Sequence, residues 1–152
     1  MRRRPVATSC AAAEKRRRIT YLVDTSALWH LFRTPGALRP WEGHIAAGVF
    51  HLCEPTRAEF LYSATSPVHR DELAEELDAL CVLSPVPKNA WRWVDTAQYK
   101  LTQRGRHRAA GTIDLLVCAT AVHHGHTVLH VDNDFATVAE VLKEVQQRDV
   151  RA

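Results

Sequence analysis

Short, mostly apolar runs separated by helical patterns constrain this 152-residue chain more than any other feature. The clearest runs are ITYLV at 19–23, VFHLC at 49–53 and TVLHV at 127–131. A run that stays apolar without strict alternation indicates a strand covered on both faces, as in a parallel sheet. Strands that alternate with helices therefore predict an α/β fold, a three-layer α/β/α sandwich around a central parallel sheet.

Helical patterns fill the intervals between these runs. They are predicted over about 26–32, 38–47, 56–66, 70–81, 88–104, 112–124 and 135–145, with one further short strand at 82–86. Thr56 and Glu59 have the spacing of a capping box, in which two side chains bond free backbone N–H groups of the first helical turn. Gly125 is predicted to end the helix at 112–124, because glycine tolerates the left-handed conformation that often follows a helix.

The first 18 residues differ from the rest of the chain in charge. They hold seven of the 20 Lys and Arg residues and one of the 17 Asp and Glu residues, a net +6, and the other 13 basic and 16 acidic residues give −3. With no hydrophobic period, residues 1–18 are predicted to be a disordered basic extension. Such a tail either binds nucleic acid or is a solvated extension that the fold does not need. The folded domain is predicted over 19–147, with 148–152 as a flexible C-terminus.

Composition excludes several classes of protein. Apolar residues make up 46% and charged residues 24% of the chain, which argues against disorder and fibrous repeats. No apolar run approaches the roughly 18 residues of a membrane span, and the basic N-terminus lacks the apolar core of a secretory signal. A cytoplasmic protein with no membrane association is therefore expected. The four cysteines show no CxxC pairing and are interpreted as small hydrophobic residues.

Five acidic residues fall where the ends of the predicted strands meet. They are Asp24 after the first strand, Glu59 in the helix after the second, Asp114 at the start of an apolar helix, and Asp132 and Asp134 after the last strand. The carboxyl ends of parallel strands face one crevice, so acids far apart in the chain can meet there. Each acid alone could simply cap a helix. Together, two carboxylates about 4 Å apart at an effective dielectric near 20 repel by around 4 kcal/mol, so a crowded cluster requires a cation.

Carboxylates without a Cys or His framework favour Mg²⁺, with Mn²⁺ as an alternative. One or two such ions can activate water and stabilise the leaving oxygen of a phosphodiester displacement, which is nuclease chemistry. We predict Asp24 and Asp114 as the central metal ligands and Asp132 and Asp134 as a second edge of the site. Glu59 is predicted to be a ligand or a base that orients water. The predicted catalytic residues are Asp24, Glu59, Asp114 and Asp132.

Residues that could contact RNA lie close to these acids in the sequence. The basic residues between 104 and 108 directly precede the segment of Asp114, which would place cations at the rim of the crevice, although a solvated loop is the alternative. Two hydroxyl groups and one histidine near the acids could also bond a phosphate. The predicted RNA contacts are Ser26, Arg104, Arg106, Arg108, Thr112 and His130.

Four segments together resemble PIN domains, and in particular the VapC toxins of bacterial toxin–antitoxin pairs. YLVDTSALWHL resembles the opening of the family pattern, CEPTRAEFLYSA its glutamate-bearing helix, RGRHRAAGTIDLLVCATAVHHG the segment of the third acid and TVLHVDNDF that of the fourth. The segments follow the family order over about 19–145. Many members have threonine or serine two residues before the fourth acid, where this chain has His130.

The resemblance implies a PIN fold and a Mg²⁺- or Mn²⁺-dependent endoribonuclease that cuts tRNA or rRNA. It also implies a VapB-type antitoxin that neutralises the enzyme by occupying its site, and a homodimer formed through helices. The acids that the resemblance assigns to the site are Asp24, Glu59, Asp114 and Asp132, with Asp134 as an auxiliary ligand.

Two other classes of protein compete with the nuclease. An acid after the first strand can be the nucleophile of a phosphotransfer enzyme, but the haloacid-dehalogenase pattern needs a second Asp where this chain has Ser26. A receiver domain needs an acidic pair where the strand residues Leu22 and Val23 stand. A catalytically inactive PIN-fold RNA-binding or scaffold protein would be expected to have lost acids, and all five are present.

Neutralising the basic segment tests the RNA contact. The triple substitution Arg104→Gln, Arg106→Gln and Arg108→Gln is expected to weaken RNA binding and to make its salt dependence shallower, by about 0.7–0.9 in slope for each lost phosphate contact. Binding of a labelled RNA would be measured between roughly 50 and 200 mM salt, in an Asp24→Asn background that prevents cleavage. An unchanged slope would assign the arginines to a solvated loop.

Overall fold

Within residues 18–152, which the computed structural model describes, five strands form one parallel sheet in the order β3-β2-β1-β4-β5. From β1 the chain adds β2 and β3 on one side of the sheet and then β4 and β5 on the other side. In parallel sheets, ligands bind outside the carboxyl ends of the strands at the point where the strand order reverses in this way. The strands are Tyr21–Val23 (β1), Phe50–Leu52 (β2), Val82–Leu83 (β3), Thr127–His130 (β4) and Gln146–Asp149 (β5).

Seven helices of the described residues cover both faces of the sheet. Leu28 of α1, Phe60 of α3 and Leu77 of α4 pack into the core on one face, and α5, α6 and α7 pack on the other. The predicted three-layer α/β/α sandwich with a parallel sheet is confirmed. The helices are Thr25–Arg33 (α1), Glu42–Ala46 (α2), Glu54–Leu61 (α3), Pro67–Leu80 (α4), Ala90–Gln103 (α5), Thr112–His124 (α6) and Asn133–Val141 (α7), with a 3-10 turn at Arg39–Trp41 before α2.

Strand β1 shows why both faces of the sheet are covered. Leu22 joins the core beneath α5, α6 and α7, whereas Tyr21 and Val23 join the core on the opposite face. Leu22 and Val23 have no exposed surface. Successive side chains of a strand point to opposite faces, so a wholly apolar run fits a strand that is buried on both. This packing fixes where β1 ends and therefore where Asp24 lies.

Helix α6 is buried along most of its length. Every residue from Leu115 to Ala121 is buried, and the Thr120 hydroxyl donates to the Leu116 carbonyl at 2.8 Å. The helix ends at Gly125, whose φ of 75° is the left-handed conformation that the sequence predicted. Because α6 is anchored through the core, the position of Asp114 in its first turn is set by packing.

Helix α3 begins two residues earlier than predicted. It starts at Glu54, because Pro55 suits the first turn, where its missing N–H needs no partner. Thr56 is fully buried, and its hydroxyl lies 3.4 Å from the thiol of Cys53. The predicted capping box between Thr56 and Glu59 is therefore wrong, and the Glu59 carboxylate can form a hydrogen bond elsewhere.

Two further helix boundaries differ from the predictions. Helix α4 begins at Pro67, where Ser66 caps the helix by accepting the N–H of His69 at 3.0 Å, so the proline opens this helix and does not interrupt it. Helix α7 ends at Val141, because Leu142 adopts an extended backbone.

The C-terminal residues form a strand and not the predicted flexible end. Strand β5 pairs along all of β4, from Thr127 opposite Gln146 to His130 opposite Asp149. Val150 is 5% exposed, and its N–H donates to the His130 carbonyl at 2.9 Å. The domain predicted to end at residue 147 therefore continues at least to Val150. The extension predicted over residues 1–18 lies, apart from Arg18, outside the described residues.

The cysteines behave as small hydrophobic residues, as predicted. Cys53 and Cys118 are buried, Cys81 is half-buried, and all three are free thiols. Cys10 lies outside the described residues. No helix between residues 18 and 152 is both long and apolar enough to cross a membrane.

The buried position of Val150 provides a test of the C-terminal strand. Val150→Asp is expected to lower the free energy of unfolding by roughly 2 kcal/mol or more, because it places a carboxylate in an apolar core without a partner. Val82→Asp is the matched control, since Val82 is 52% exposed on the edge strand β3, where a loss below about 1 kcal/mol is expected. Urea unfolding followed by circular dichroism measures both. If both variants lowered the free energy of unfolding by equally small amounts, residues 148–152 would be a flexible terminus.

Candidate active site

Four carboxylates converge at the carboxyl edge of the sheet. Asp24 follows β1, Asp132 follows β4, and Asp114 and Asp134 lie in the first turns of α6 and α7. One carboxylate oxygen from each of Asp114, Asp132 and Asp134 lies within 4.8 Å of the others. We call these three residues the carboxylate group. Asp24 is near enough for its charge to raise the pKa of Asp114. The predicted role of Asp24 and Asp114 as the central metal ligands stays a prediction.

Asp24 is buried, with 5% of its surface exposed. Its Oδ2 accepts the backbone N–H of Ser26 at 3.1 Å, which caps α1, and the Ser26 hydroxyl at 2.7 Å. The oxygen of that hydroxyl accepts the N–H of Val131 at 3.0 Å. The Ser26 hydroxyl therefore joins the turn after β1 to the end of β4 and fixes Asp24. The predicted contact of Ser26 with RNA stays a prediction.

Burial and mutual repulsion raise the pKa values of three acids. Burial is the main cause at Asp24. At Asp114, burial and then the negative charge of Asp24 raise the pKa to about 6. Burial and then the charge of Asp132 raise the pKa of Asp134. The ionised states are therefore disfavoured where the acids crowd, and a cation would reverse this effect. An all-oxygen donor set suits Mg²⁺ or Mn²⁺.

Glu59 lies on the exposed side of Asp24. Its Oε2 accepts the hydroxyl of Thr25 at 3.0 Å, and its charge contributes to the raised pKa of Asp24. Thr25 is buried and directly follows Asp24, so it holds Glu59 beside the site. The contact of Thr25 with Glu59 could not be found from the sequence, because the two residues are 34 positions apart on different helices. The role of Glu59 as a ligand or a base stays a prediction.

The turn after β4 is held by Asp132 and His130. Asp132 Oδ1 accepts the N–H of Asp134 at 3.0 Å and caps α7. His130 is 3% exposed, so the predicted contact between its side chain and the substrate is wrong. Its Nδ1 accepts the N–H of Asp132 at 3.0 Å, and its Nε2 lies 2.6 Å from Oε1 of Gln147. Gln147 could not be found from the sequence, because its contact depends on the pairing of β4 with β5.

The basic segment lies between α5 and α6. Arg104, Arg106 and Arg108 are exposed, and Thr112 is exposed at the start of α6. Asp114 is tied to the end of this segment, because its Oδ2 accepts the N–H of Gly111 at 3.3 Å. Contact of RNA with the three arginines and with Thr112 stays a prediction.

His126, which follows α6, has a hydrogen-bond partner at each ring nitrogen. His126 is buried, its Nδ1 lies 2.6 Å from the Thr20 hydroxyl, and its Nε2 lies 2.8 Å from the Ser84 hydroxyl. Burial is the first cause that lowers the pKa of His126, to about 4. Because both ring nitrogens are engaged by hydroxyl groups, His126 is a satisfied neutral group and not a zinc ligand.

The chain belongs to the PIN-domain family, because the model of that family matches residues 21–141. Among curated proteins it is similar to Ribonuclease VapC6 of Mycobacterium tuberculosis, with 37% identity over 117 residues that cover 77% of this chain and 92% of that protein. Ribonuclease VapC2 of the same species is 36% identical over 130 residues, which cover 84% and 91% of the two chains. The resemblance to VapC toxins is confirmed.

Solved structures share the fold at low sequence identity. VapBC-1 from nontypeable Haemophilus influenzae matches with a TM-score of 0.71 and 14% identity, over 88% of this chain and 100% of that chain. DNA-bound VapBC from Salmonella typhimurium matches with a TM-score of 0.69 and 14% identity, over 88% and 99%. At this identity the likeness establishes the fold.

The raised pKa of Asp114 predicts a stability effect when no divalent metal is present. The native state keeps this proton up to about pH 6, whereas an unfolded Asp releases it near pH 4, so the parent protein loses stability as the pH rises through that window. Asp114→Asn has no proton to release. We expect this variant to be more stable than the parent at pH 7 in chelator by about 1 kcal/mol, a value reduced for the partial solvation of the carboxyl.

Urea unfolding of both proteins between pH 4 and pH 7, in chelator and then with Mn²⁺, measures this difference. Mn²⁺ should stabilise the parent and have little effect on Asp114→Asn, because metal binding requires the ionised carboxylate. A variant that is much less stable than the parent in chelator would give Asp114 a structural role through its bond to Gly111.

Proposed function

We propose that this protein is the toxin of a VapBC-type toxin–antitoxin pair and acts as a metal-dependent endoribonuclease on structured RNA, either tRNA or rRNA. The observation that carries the proposal is the carboxylate group, with one oxygen from each acid within 4.8 Å of the others, beside the buried Asp24. The relatives named Ribonuclease VapC support the same activity. Mg²⁺ is the proposed ion, with Mn²⁺ as an alternative.

The carboxylate group would hold the ion, and Asp24 would add negative charge from the buried side. The oxygen donors and the raised pKa of Asp114 fit a hard divalent cation, which relieves the repulsion between the acids. When bound, such an ion supplies the activation of water and the stabilisation of charge on the leaving oxygen.

The acids next to the carboxylate group have separate tasks in phosphodiester hydrolysis. Glu59 is held through Oε2 by the Thr25 hydroxyl, which leaves Oε1 to accept the proton of the attacking water. Its exposed position suits a base that must return the proton to solvent. Asp24 is held by both bonds from Ser26, so its charge stays fixed during the reaction.

The phosphates that flank the cut would be bound by the basic segment and by helix ends. Arg104, Arg106 and Arg108, with the Thr112 hydroxyl, supply the positive charge and hydrogen bonds that RNA backbones require. Residues 19–152 carry a net −3, so this segment provides a local positive potential on a mildly acidic domain. The first turn of α6 adds free N–H groups beside the same segment.

A VapB-type antitoxin is the proposed partner of the toxin. Proteins of the same fold have been solved as VapBC complexes, some of them bound to DNA. A segment that blocks an anionic carboxylate group would be expected to carry a cation in place of the metal. A homodimer, and a cytoplasmic location where the RNA substrate occurs, complete the proposal.

The alternative function is that of a catalytically inactive PIN-fold protein that binds RNA or serves as a scaffold. The basic segment alone would be sufficient for such a protein. However, burial disfavours the ionised states of Asp24 and Asp114, so keeping both acids lowers stability when no metal is bound. A protein without catalysis gains nothing from that loss, so the ribonuclease is favoured.

Asp24→Asn tests the proposed activity. Asn keeps an oxygen that can accept the bonds from Ser26, so the helix cap and the fold should survive while the charge is lost. We expect the parent protein to arrest growth on induction and to cleave RNA with Mg²⁺ or Mn²⁺ but not in chelator. The variant should not arrest growth, and its cleavage rate should be lower than that of the parent by roughly 10²- to 10³-fold or more.

Asp78→Asn is the matched control for this test. Asp78 lies on α4 with its side chain 69% exposed, and its 3.9 Å ion pair with Arg57 contributes less than about 1 kcal/mol. This variant should cleave like the parent. Cleavage that persists in Asp24→Asn, or cleavage that needs no metal, would contradict the proposal and favour the RNA-binding or scaffold protein.

A further inference from the structure

A partly buried chain of hydrogen bonds connects the last strand of the sheet to the carboxylate group. Oε1 of Gln147, on β5, lies 2.6 Å from Nε2 of His130. The other ring nitrogen, Nδ1, accepts the backbone N–H of Asp132 at 3.0 Å. Asp132 in turn accepts the N–H of Asp134 at 3.0 Å. The proposed hydrolysis gives no task to either His130 or Gln147.

These bonds assign the tautomer of His130. A ring nitrogen that accepts an N–H carries no proton, so the neutral ring holds its proton on Nε2 and donates it to the amide oxygen of Gln147. A proton on Nδ1 would face the N–H of Asp132, and two donors would oppose each other. Gln147 therefore selects the one tautomer that keeps the turn after β4 closed.

The surroundings of the His130 ring also restrict its orientation. The residue is 3% exposed, and its ring centroid lies 5.1 Å from that of the fully buried Phe135. The His130 carbonyl accepts the N–H of Val150, so the residue that follows β5 holds the backbone, as Gln147 holds the ring. A histidine with a purely structural role could form its hydrogen bonds with any polar group of the core. Here the bond ends on the backbone of Asp132, whose carboxylate belongs to the site.

We propose that Gln147 and His130 are a positioning pair for Asp132. Gln147 sets the tautomer and the plane of the ring, and Nδ1 of His130 holds the turn so that the Asp132 carboxylate meets Asp114 and Asp134. This inference rests on the proposed metal-dependent activity and makes strand β5 a part of the site. Since His130 is buried and Gln147 bonds its ring, their loss is expected to weaken metal binding without directly weakening RNA binding.

Four substitutions separate this role from a general effect on the fold. His130→Leu removes both ring nitrogens and keeps an apolar side chain beside Phe135. His130→Asn keeps an oxygen that can accept the N–H two residues further on, as in an Asx turn. Gln147→Leu removes only the acceptor of the Nε2 proton. Gln146→Leu is the matched control, because Gln146 is the exposed neighbour on the same strand.

Mn²⁺ affinity, measured by calorimetry on folded protein, is the main readout. Loss of an outer partner of a metal ligand costs about 10- to 100-fold in metal affinity, and we expect both His130→Leu and Gln147→Leu within that range. His130→Asn should recover most of the loss, and Gln146→Leu should match the parent. When RNA cleavage is measured at limiting Mn²⁺, kcat should be lowest for His130→Leu and Gln147→Leu, higher for His130→Asn and equal to that of the parent for Gln146→Leu. KM for RNA should stay unchanged.

Two further measurements separate positioning from stability. Thermal unfolding in chelator reports on folding alone, and the ¹H–¹⁵N spectrum of labelled histidine reports which ring nitrogen of His130 carries the proton. We expect Nε2 to carry it in the parent and Gln147→Leu to redistribute it. If His130→Leu does not fold, Gln147→Leu and His130→Asn carry the test.

Three outcomes overturn the inference. They are a proton on Nδ1 in the parent, variants that lose stability while keeping the Mn²⁺ affinity of the parent, and a His130→Asn variant as impaired as His130→Leu. In each case a parent that binds Mn²⁺ and cleaves RNA leaves the proposed function intact. A parent that neither binds Mn²⁺ nor cleaves overturns the proposed function itself, and the inference with it.

Discussion

The burial of β1 between two apolar layers is the constraint on which the rest of the structure depends. Leu22 and Val23 have no exposed surface, and a shift of one residue would exchange the two cores. Because Asp24 directly follows this strand, it lies in a buried position, where its ionised form is disfavoured and its pKa is raised. The other features of the site accommodate that charge. Ser26 donates two hydrogen bonds to it, and the carboxylate group next to it can share a cation.

Folding and activity make opposite demands on this end of the sheet. A domain of this size is stable by only about 5–15 kcal/mol, so repulsion of a few kcal/mol between acids is a large fraction of the total. The burial of α6 from Leu115 to Ala121 contributes stabilisation that opposes this repulsion, and it sets the position of Asp114. A bound divalent ion would turn the same repulsion into attraction, so the proposed metal binding would stabilise the fold.

The layers and the meeting of the acids were predictable because they depend on local patterns: the apolar run before Asp24, the apolar helix closed by Gly125, and the rule that parallel strand ends share an edge. One prediction failed for a local reason: Pro55 fits the first turn of α3, so the helix begins at Glu54 and the predicted capping box does not form. Other predictions failed where contacts join distant segments. The polar run QQRD forms a strand because its backbone pairs with β4, and this pairing turned His130 inward to Gln147. The register between segments cannot be read from one sequence.

The hydroxyl of Ser26 joins two turns that are 105 residues apart in the chain. One oxygen atom donates its proton to the first acid and accepts the N–H of Val131, next to the fourth. A residue without a hydroxyl at this position would leave Asp24 short of a donor and the Val131 N–H without its acceptor, and no change at either turn alone would restore both. The first and last motifs of the chain are therefore expected to evolve as one unit, although most of the sequence lies between them.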